Sequence, residues 1–127
     1  HMIRIPDPGR FELRLMDGSA NPYLLQASVL AAGLDGLKNK IDPGKPLNCN
    51  MYEDHEKYPD LPRLPDELDQ SLEKLKNNKD INDAFGKEVI NSYIKLRNSE
   101  LKEFKQKETF DKTKPITRWE QDNTLDC

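Results

Sequence analysis

The chain is short of nearly everything that lets a domain stand by itself. It has one tryptophan in 127 residues, its hydrophobic content is 35% against 34% charged, and its mean hydropathy is −0.91. That is lean for a 14.7 kDa chain, the size of one ordinary domain. No long apolar run is present. The longest stretch, residues 23–34, is too short to span a bilayer and is interrupted by Gln26 and Ser28, so no membrane partner is expected. No excess of one charge sign is present either: 20 Lys and Arg stand against 23 Asp and Glu, a net charge of −3, which argues against an overall basic nucleic-acid footprint. The two cysteines, Cys49 and Cys127, match neither a metal knuckle nor a disulfide framework and predict reduced thiols in a cytoplasmic protein. No signal peptide is recognisable, and His1-Met2 ahead of Ile3 reads as a cloning scar. Small net charge and periodic apolar clusters keep the chain out of the disordered class, while the low apolar content predicts a piece of something larger.

What is present begins with Ile3-Arg4-Ile5-Pro6-Asp7-Pro8-Gly9, whose two prolines and glycine forbid a regular central strand and predict a turn. Arg10-Phe11-Glu12-Leu13-Arg14-Leu15 then alternates charged and apolar residues. The pattern predicts a strand with Arg10, Glu12 and Arg14 on one face and Phe11, Leu13 and Leu15 toward a core, closed by Asp17-Gly18. Asn21-Pro22 starts a helix as N-cap and first-turn proline. The residues that follow are apolar nearly all round, the mark of a helix buried on several sides. Gly33 and Gly36 inside it suit a close approach of another backbone, and Asp42-Pro43-Gly44 stops it.

Residues 45–65 read as an extended, proline-rich loop. Asp66 is the expected cap of a helix with Leu68, Leu72 and Leu75 on one stripe, ending at Asn77-Asn78. Asp80 is the expected cap of a short helix carrying Ile81, Ala84 and Phe85, terminated by Gly86. Residues 87–105 form the longest amphipathic pattern, with Ile90, Ile94, Arg97, Leu101 and Phe104 in register. After a polar stretch, Thr117 and Glu120 are spaced as a capping box for a last short helix containing Trp119. The fold class expected is mainly α: one N-terminal strand followed by four or five helices.

The residues that could carry chemistry are Arg4, Arg10, Glu12 and Arg14. A carboxylate between arginines contributes under about 1 kcal/mol when exposed. The same set suits a metal-bound polyphosphate: Glu supplies hard oxygen ligands to Mg2+ or Mn2+, and guanidiniums neutralise phosphate through bidentate contacts. On the pattern alone, a solvated charged face of a half-exposed edge strand is the favoured reading. His55, between Asp54 and Glu56, reads as a solvated loop histidine, and Trp119, Tyr93 and Phe104 as packing residues. Lys74, Lys76 and Lys102 are balanced by neighbouring glutamates, so a solvated helix face is expected there.

Ile3-Arg4-Ile5-Pro6, Arg10-Phe11-Glu12-Leu13-Arg14, Ala20-Asn21-Pro22-Tyr23-Leu24, Ala31-Ala32-Gly33-Leu34-Asp35-Gly36 and Lys38-Asn39-Lys40-Ile41 together resemble the C-terminal part of the glutamine synthetase catalytic domain. The ending Arg118-Trp119-Glu120-Gln121-Asp122-Asn123-Thr124-Leu125-Asp126 resembles the bacterial type III, or GlnT-like, branch. The resemblance spans residues 3–127 and implies a single fragment of that catalytic domain, α+β in the parent. It implies that Arg4 contacts ATP phosphates, that Arg10 lies near the nucleotide, that Glu12 is a ligand of the divalent metal nearer those phosphates, and that Arg14 holds glutamate and the phosphoryl group in transfer. The segment between Arg4 and Arg10 is shorter than in the better-known bacterial enzymes and has no counterpart of an ATP-contacting lysine.

The implied activity is ATP-dependent phosphorylation of the glutamate γ-carboxylate followed by amidation with ammonia, with Mg2+ or Mn2+ as cofactor. The implied parent is a cytoplasmic, ring-forming homo-oligomer, and this chain is expected to be inactive alone. Two alternatives stay open: a glutamate–amine ligase using methylamine or another amine, and a non-catalytic helical interaction or oligomerisation module.

Overall fold

The structure is a computed structural model that describes residues 2–16, 18–107 and 116–124. The expected turn residue Asp17, the greater part of the polar stretch after residue 107, Leu125, Asp126 and the Cys127 thiol lie outside the described residues. The mainly helical class is observed, with a two-stranded hairpin in front of six α-helices among the described residues.

Strand β1 (Ile3–Asp7) pairs antiparallel with β2 (Arg10–Leu13). The prolines do not prevent the first strand; they decide its shape. Cα partners are Ile3 with Leu13, Arg4 with Glu12, and Asp7 with Arg10, with a register shift between Arg4 and Asp7. Ile5 and Pro6 therefore oppose the single residue Phe11, a bulge in which a residue lacking an N–H leaves no rung of the ladder unmade. Pro8 and Gly9 make the turn. Gly9 has φ +79°, the value the third position of a type II turn demands and that a side chain resists. The expectation of a turn without a strand over residues 3–9 is thus corrected: in a two-stranded ribbon both strands are edges, where proline is tolerated.

Helix α1 (Pro22–Asn39) starts as expected, the Asn21 side chain accepting from the Tyr23 and Leu24 backbone N–H groups at 3.0 and 3.1 Å. It stops earlier than Asp42. Lys40 adopts the left-handed conformation (φ 51°), its N–H donates to the Leu37 carbonyl, and the Ile41 N–H donates to the Gly36 carbonyl at 2.9 Å, a Schellman closure without glycine. The loop after it contains a helical turn, α2 (Met51–Asp54), and a 3-10 turn (His55–Lys57). The signal was Asn50, whose side chain accepts from the Tyr52 N–H at 3.2 Å and donates to the Glu53 carboxylate at 2.9 Å, an N-cap in a stretch without hydrophobic period.

Helices α3 (Leu68–Asn77), α4 (Lys79–Phe85) and α5 (Lys87–Lys107) follow. The residue preceding α3 is Glu67 rather than Asp66, and it makes no side-chain cap bond. The cap of α4 is Asn78, accepting from the Ile81 N–H at 2.9 Å, with Asp80 in the first turn instead. Helix α6 (Arg118–Thr124) opens with the expected box: Thr117 N–H and Oγ1–H donate to Glu120 Oε2 at 2.7 and 2.8 Å, and the Glu120 N–H donates to Thr117 Oγ1 at 3.2 Å. Trp119 meets Phe104 of α5 edge-on, ring centroids 5.6 Å apart.

Helix α3 packs on α5, and α4 on α1, α3 and α5. The core is small: among the described residues only Leu72 of α3 (4% exposed) and Ile90 of α5 (5%) are buried apolar side chains. The all-round apolar α1 buries none of its residues; Tyr23, Leu30, Leu34 and Leu37 are exposed, and the positions where Gly33 and Gly36 would carry a Cβ have nothing within 4 Å. Phe11 and Leu15 are likewise exposed and Leu13 is only half-buried, so the apolar face of β2 meets no core among the described residues. The burial expected for both elements is corrected. Their apolar residues need partners that the described residues do not supply.

Candidate active-site hairpin

Strand parity puts Arg10 and Glu12 on one face of β2, and the register places Arg4 directly opposite Glu12, so its side chain rises from the same face. Glu12 joins the two arginines. Arg4 Nη1 donates to its Oε2 at 3.2 Å, and Arg10 Nη2 donates to its Oε1 at 2.8 Å. The side chains of Arg4 and Arg10 are 56% and 64% exposed and that of Glu12 30%. At this exposure each pair contributes under about 1 kcal/mol, so holding the hairpin together does not account for the cluster.

Arg14 lies one step past β2. Its backbone N–H donates to the Met2 carbonyl at 2.9 Å, carrying the ladder beyond Leu13, and its side chain is exposed. By parity it shares the face of Arg10 and Glu12, but no described ion pair joins it to Glu12. The structure thus brings three of the four sequence candidates into contact and sets the fourth beside them. The sequence did not show that Asp7 stands across from Arg10, because that pairing exists only through the bulge at Ile5-Pro6.

In chemical terms the bonded Arg4–Glu12–Arg10 cluster offers two exposed guanidiniums and one carboxylate, with Arg14 and Asp7 beside it on the same face. Among the described residues there is no group of three or more His, Cys, Asp or Glu able to cage a metal ion. A donor set of one carboxylate with two arginines fits a divalent cation carried in on a polyphosphate, because Mg2+ is commonly held by one or two carboxylates plus substrate phosphates. Glu12 would be the protein ligand, Arg4 and Arg10 the phosphate partners, and the cation would neutralise charge on the polyphosphate.

The remaining features carry no comparable chemistry. His55 lies in the 3-10 turn with no metal-ligating group of three around it among the described residues. Cys49 donates to Met51 Sδ at 3.6 Å, and its hydrogen bond with Tyr58, followed by the negative charge of its thiolate form, pushes the Tyr58 hydroxyl above its ordinary value. An open groove of about 990 Å3 runs among α1, α3, α4, α5 and α6, lined by Leu24, Phe85, Tyr93, Phe104 and Trp119 among others. Tyr93 carries Arg97 over its ring at 5.3 Å, and Arg97 is paired with Glu100 at 2.7 Å, so these groups satisfy one another. No helix of the described residues is long and apolar enough to cross a membrane.

The family model for the glutamine synthetase catalytic domain matches residues 1–115. The glutamine synthetase of Rhizobium meliloti (strain 1021) is 42% identical over 126 residues, covering 99% of this chain and 27% of that protein. The glutamate–methylamine ligase of Methyloversatilis universalis is 42% identical over 106 residues, covering 81% of this chain and 24% of that protein. A solved structure described as a GmaS/ADP complex superposes with a TM-score of 0.79 at 38% identity, covering 100% of this chain and 27% of its own. The chain spans about a quarter of the length of the relatives it matches.

Proposed function

Since this chain belongs to the glutamine synthetase catalytic-domain family, we propose that it supplies one side of the nucleotide site of an ATP-dependent glutamate–ammonia ligase. In this reading residues 3–127 are the C-terminal portion of the catalytic domain. Arg4 and Arg10 take ATP phosphates, Glu12 takes the Mg2+ or Mn2+ that accompanies them, and Arg14 holds glutamate and the phosphoryl group passing to its γ-carboxylate. Phosphoryl transfer depends chiefly on positioning and charge neutralisation, which is what two guanidiniums and a cation-binding carboxylate on one face provide. Ammonia then displaces phosphate. The observation that carries the reading is the convergence of Arg4 and Arg10 on Glu12 in a chain of this family.

The parent is read as a cytoplasmic, ring-forming homo-oligomer, of the type III or GlnT-like branch by its ending at residues 118–126. A second reading, glutamate–methylamine ligase, is favoured by the 42% identity to such an enzyme and by the likeness to the GmaS/ADP complex. Both readings assign the same work to Arg4, Arg10, Glu12 and Arg14. With one metal carboxylate, the chain alone is inactive.

Titration of the chain with ATP and Mg2+ tests this, followed by NMR of the hairpin amides together with phosphate release in the presence of glutamate and ammonia. Arg4, Arg10 and Glu12 are expected to shift. Arg4→Gln and Arg10→Gln should each weaken binding about threefold to tenfold, the loss of roughly one charge-assisted contact at an exposed site. No turnover is expected. Hairpin signals indifferent to ATP would overturn the site assignment, and glutamate-dependent turnover by the purified chain would overturn the claim of inactivity.

A further inference from the structure

Both oxygens of Glu12 are engaged: Oε2 accepts from Arg4 at 3.2 Å and Oε1 from Arg10 at 2.8 Å. A divalent cation approaching this carboxylate must displace a guanidinium or share an oxygen with it, and the like charges repel at such separations. A polyphosphate acts in the opposite direction. It presents guanidiniums with several charged oxygens in the bidentate geometry they favour, and the arginine side chains are exposed and able to swing toward it.

We infer that Arg4 and Arg10 form a latch on Glu12 that a polyphosphate opens, so that polyphosphate and divalent cation bind this hairpin with positive coupling. The inference rests on the reading of Glu12 as a cation ligand and adds the reason why the cation alone is held weakly: its ligand is already neutralised. Coupling is reciprocal, so cation bound at Glu12 leaves Arg4 and Arg10 released for phosphate. Exposed pairs of this kind set a modest factor, about threefold for each arginine.

The test uses Mn2+ alone, without nucleotide, and reads paramagnetic broadening of the Glu12 backbone amide in NMR spectra of the chain. Wild type is compared with Arg4→Gln, Arg10→Gln, the double variant, Glu12→Gln, and Lys38→Gln, which removes one positive charge outside the cluster. The half-broadening Mn2+ concentration should fall about threefold in each arginine variant and about tenfold in the double variant, with Lys38→Gln near wild type. Glu12→Gln should abolish the effect in every background. If Glu12→Gln abolishes broadening but the arginine variants bind Mn2+ no more tightly than wild type, the latch is overturned while the ligand role of Glu12 stands. If Glu12→Gln leaves broadening unchanged, both are overturned. Unshifted hairpin amides outside the substituted positions verify that each variant keeps the fold.

Discussion

Leu72→Ala should be far more damaging than any apolar truncation on α1, although α1 is by composition the most hydrophobic element. The accessible surface of the chain is 11207 Å2, against roughly 6,900 Å2 expected for a folded monomer of this mass. So open a structure has few side chains that stability depends on. Leu72 on α3 and Ile90 on α5 are the two buried apolar ones among the described residues, and their helices pack together. Removing a buried leucine side chain costs about 2–5 kcal/mol, and the open groove beside α5 allows partial collapse, which sets the expectation at about 2–3 kcal/mol. Leu30 on α1 is 63% exposed, and Leu30→Ala should stay within about 0.5 kcal/mol of wild type. Urea unfolding followed by circular dichroism at the helix band measures both variants under one protocol. A marginal total stability would turn the Leu72→Ala loss into a transition with no folded baseline. Equal midpoints for the two variants would show that the α3–α5 contact is not where this chain keeps its core.

Two further outcomes are expected. The hydrogen bond from Lys105, and then that from the Gln70 N–H, hold the Asp69 carboxyl below the usual carboxylate range. A depressed folded value gives a contribution present above the unfolded value and lost as pH falls through the folded one, so the α3–α5 tie should weaken only in acid; an Asp69 titration by NMR that does not move upward in Lys105→Gln would contradict this. The exposed α1 stripe of Tyr23, Leu30, Leu34 and Leu37 should bind an apolar fluorescent dye and drive concentration-dependent association, both reduced by Leu34→Glu with Leu37→Glu; sedimentation as a dye-silent monomer would refute it.

The shared face of Arg10, Glu12 and Arg14 was legible because that information is local, whereas its reading as a site came from the family resemblance. Alternation along Arg10-Phe11-Glu12-Leu13-Arg14 assigns faces without knowledge of the rest of the chain, and the Asn21-Pro22 start and the Thr117–Glu120 box are settled by bonds within a single turn. The same logic misled where two local rules competed. The prolines of residues 3–9 suggested a turn alone, whereas a bulge lets Pro6 stand in a strand, and nothing short of the register reveals that Arg4 faces Glu12.

Helix identity and strand parity were thus determined by the amino-acid order itself, since capping and periodicity act over three or four residues. Which apolar faces are covered was decided only by tertiary structure. Hydrophobic burial is non-directional, so a stripe states that it needs a partner without naming one. Leu72 and Ile90 find each other's helices across 18 residues of sequence, while Leu30 and Phe11, no less apolar, stay in contact with water.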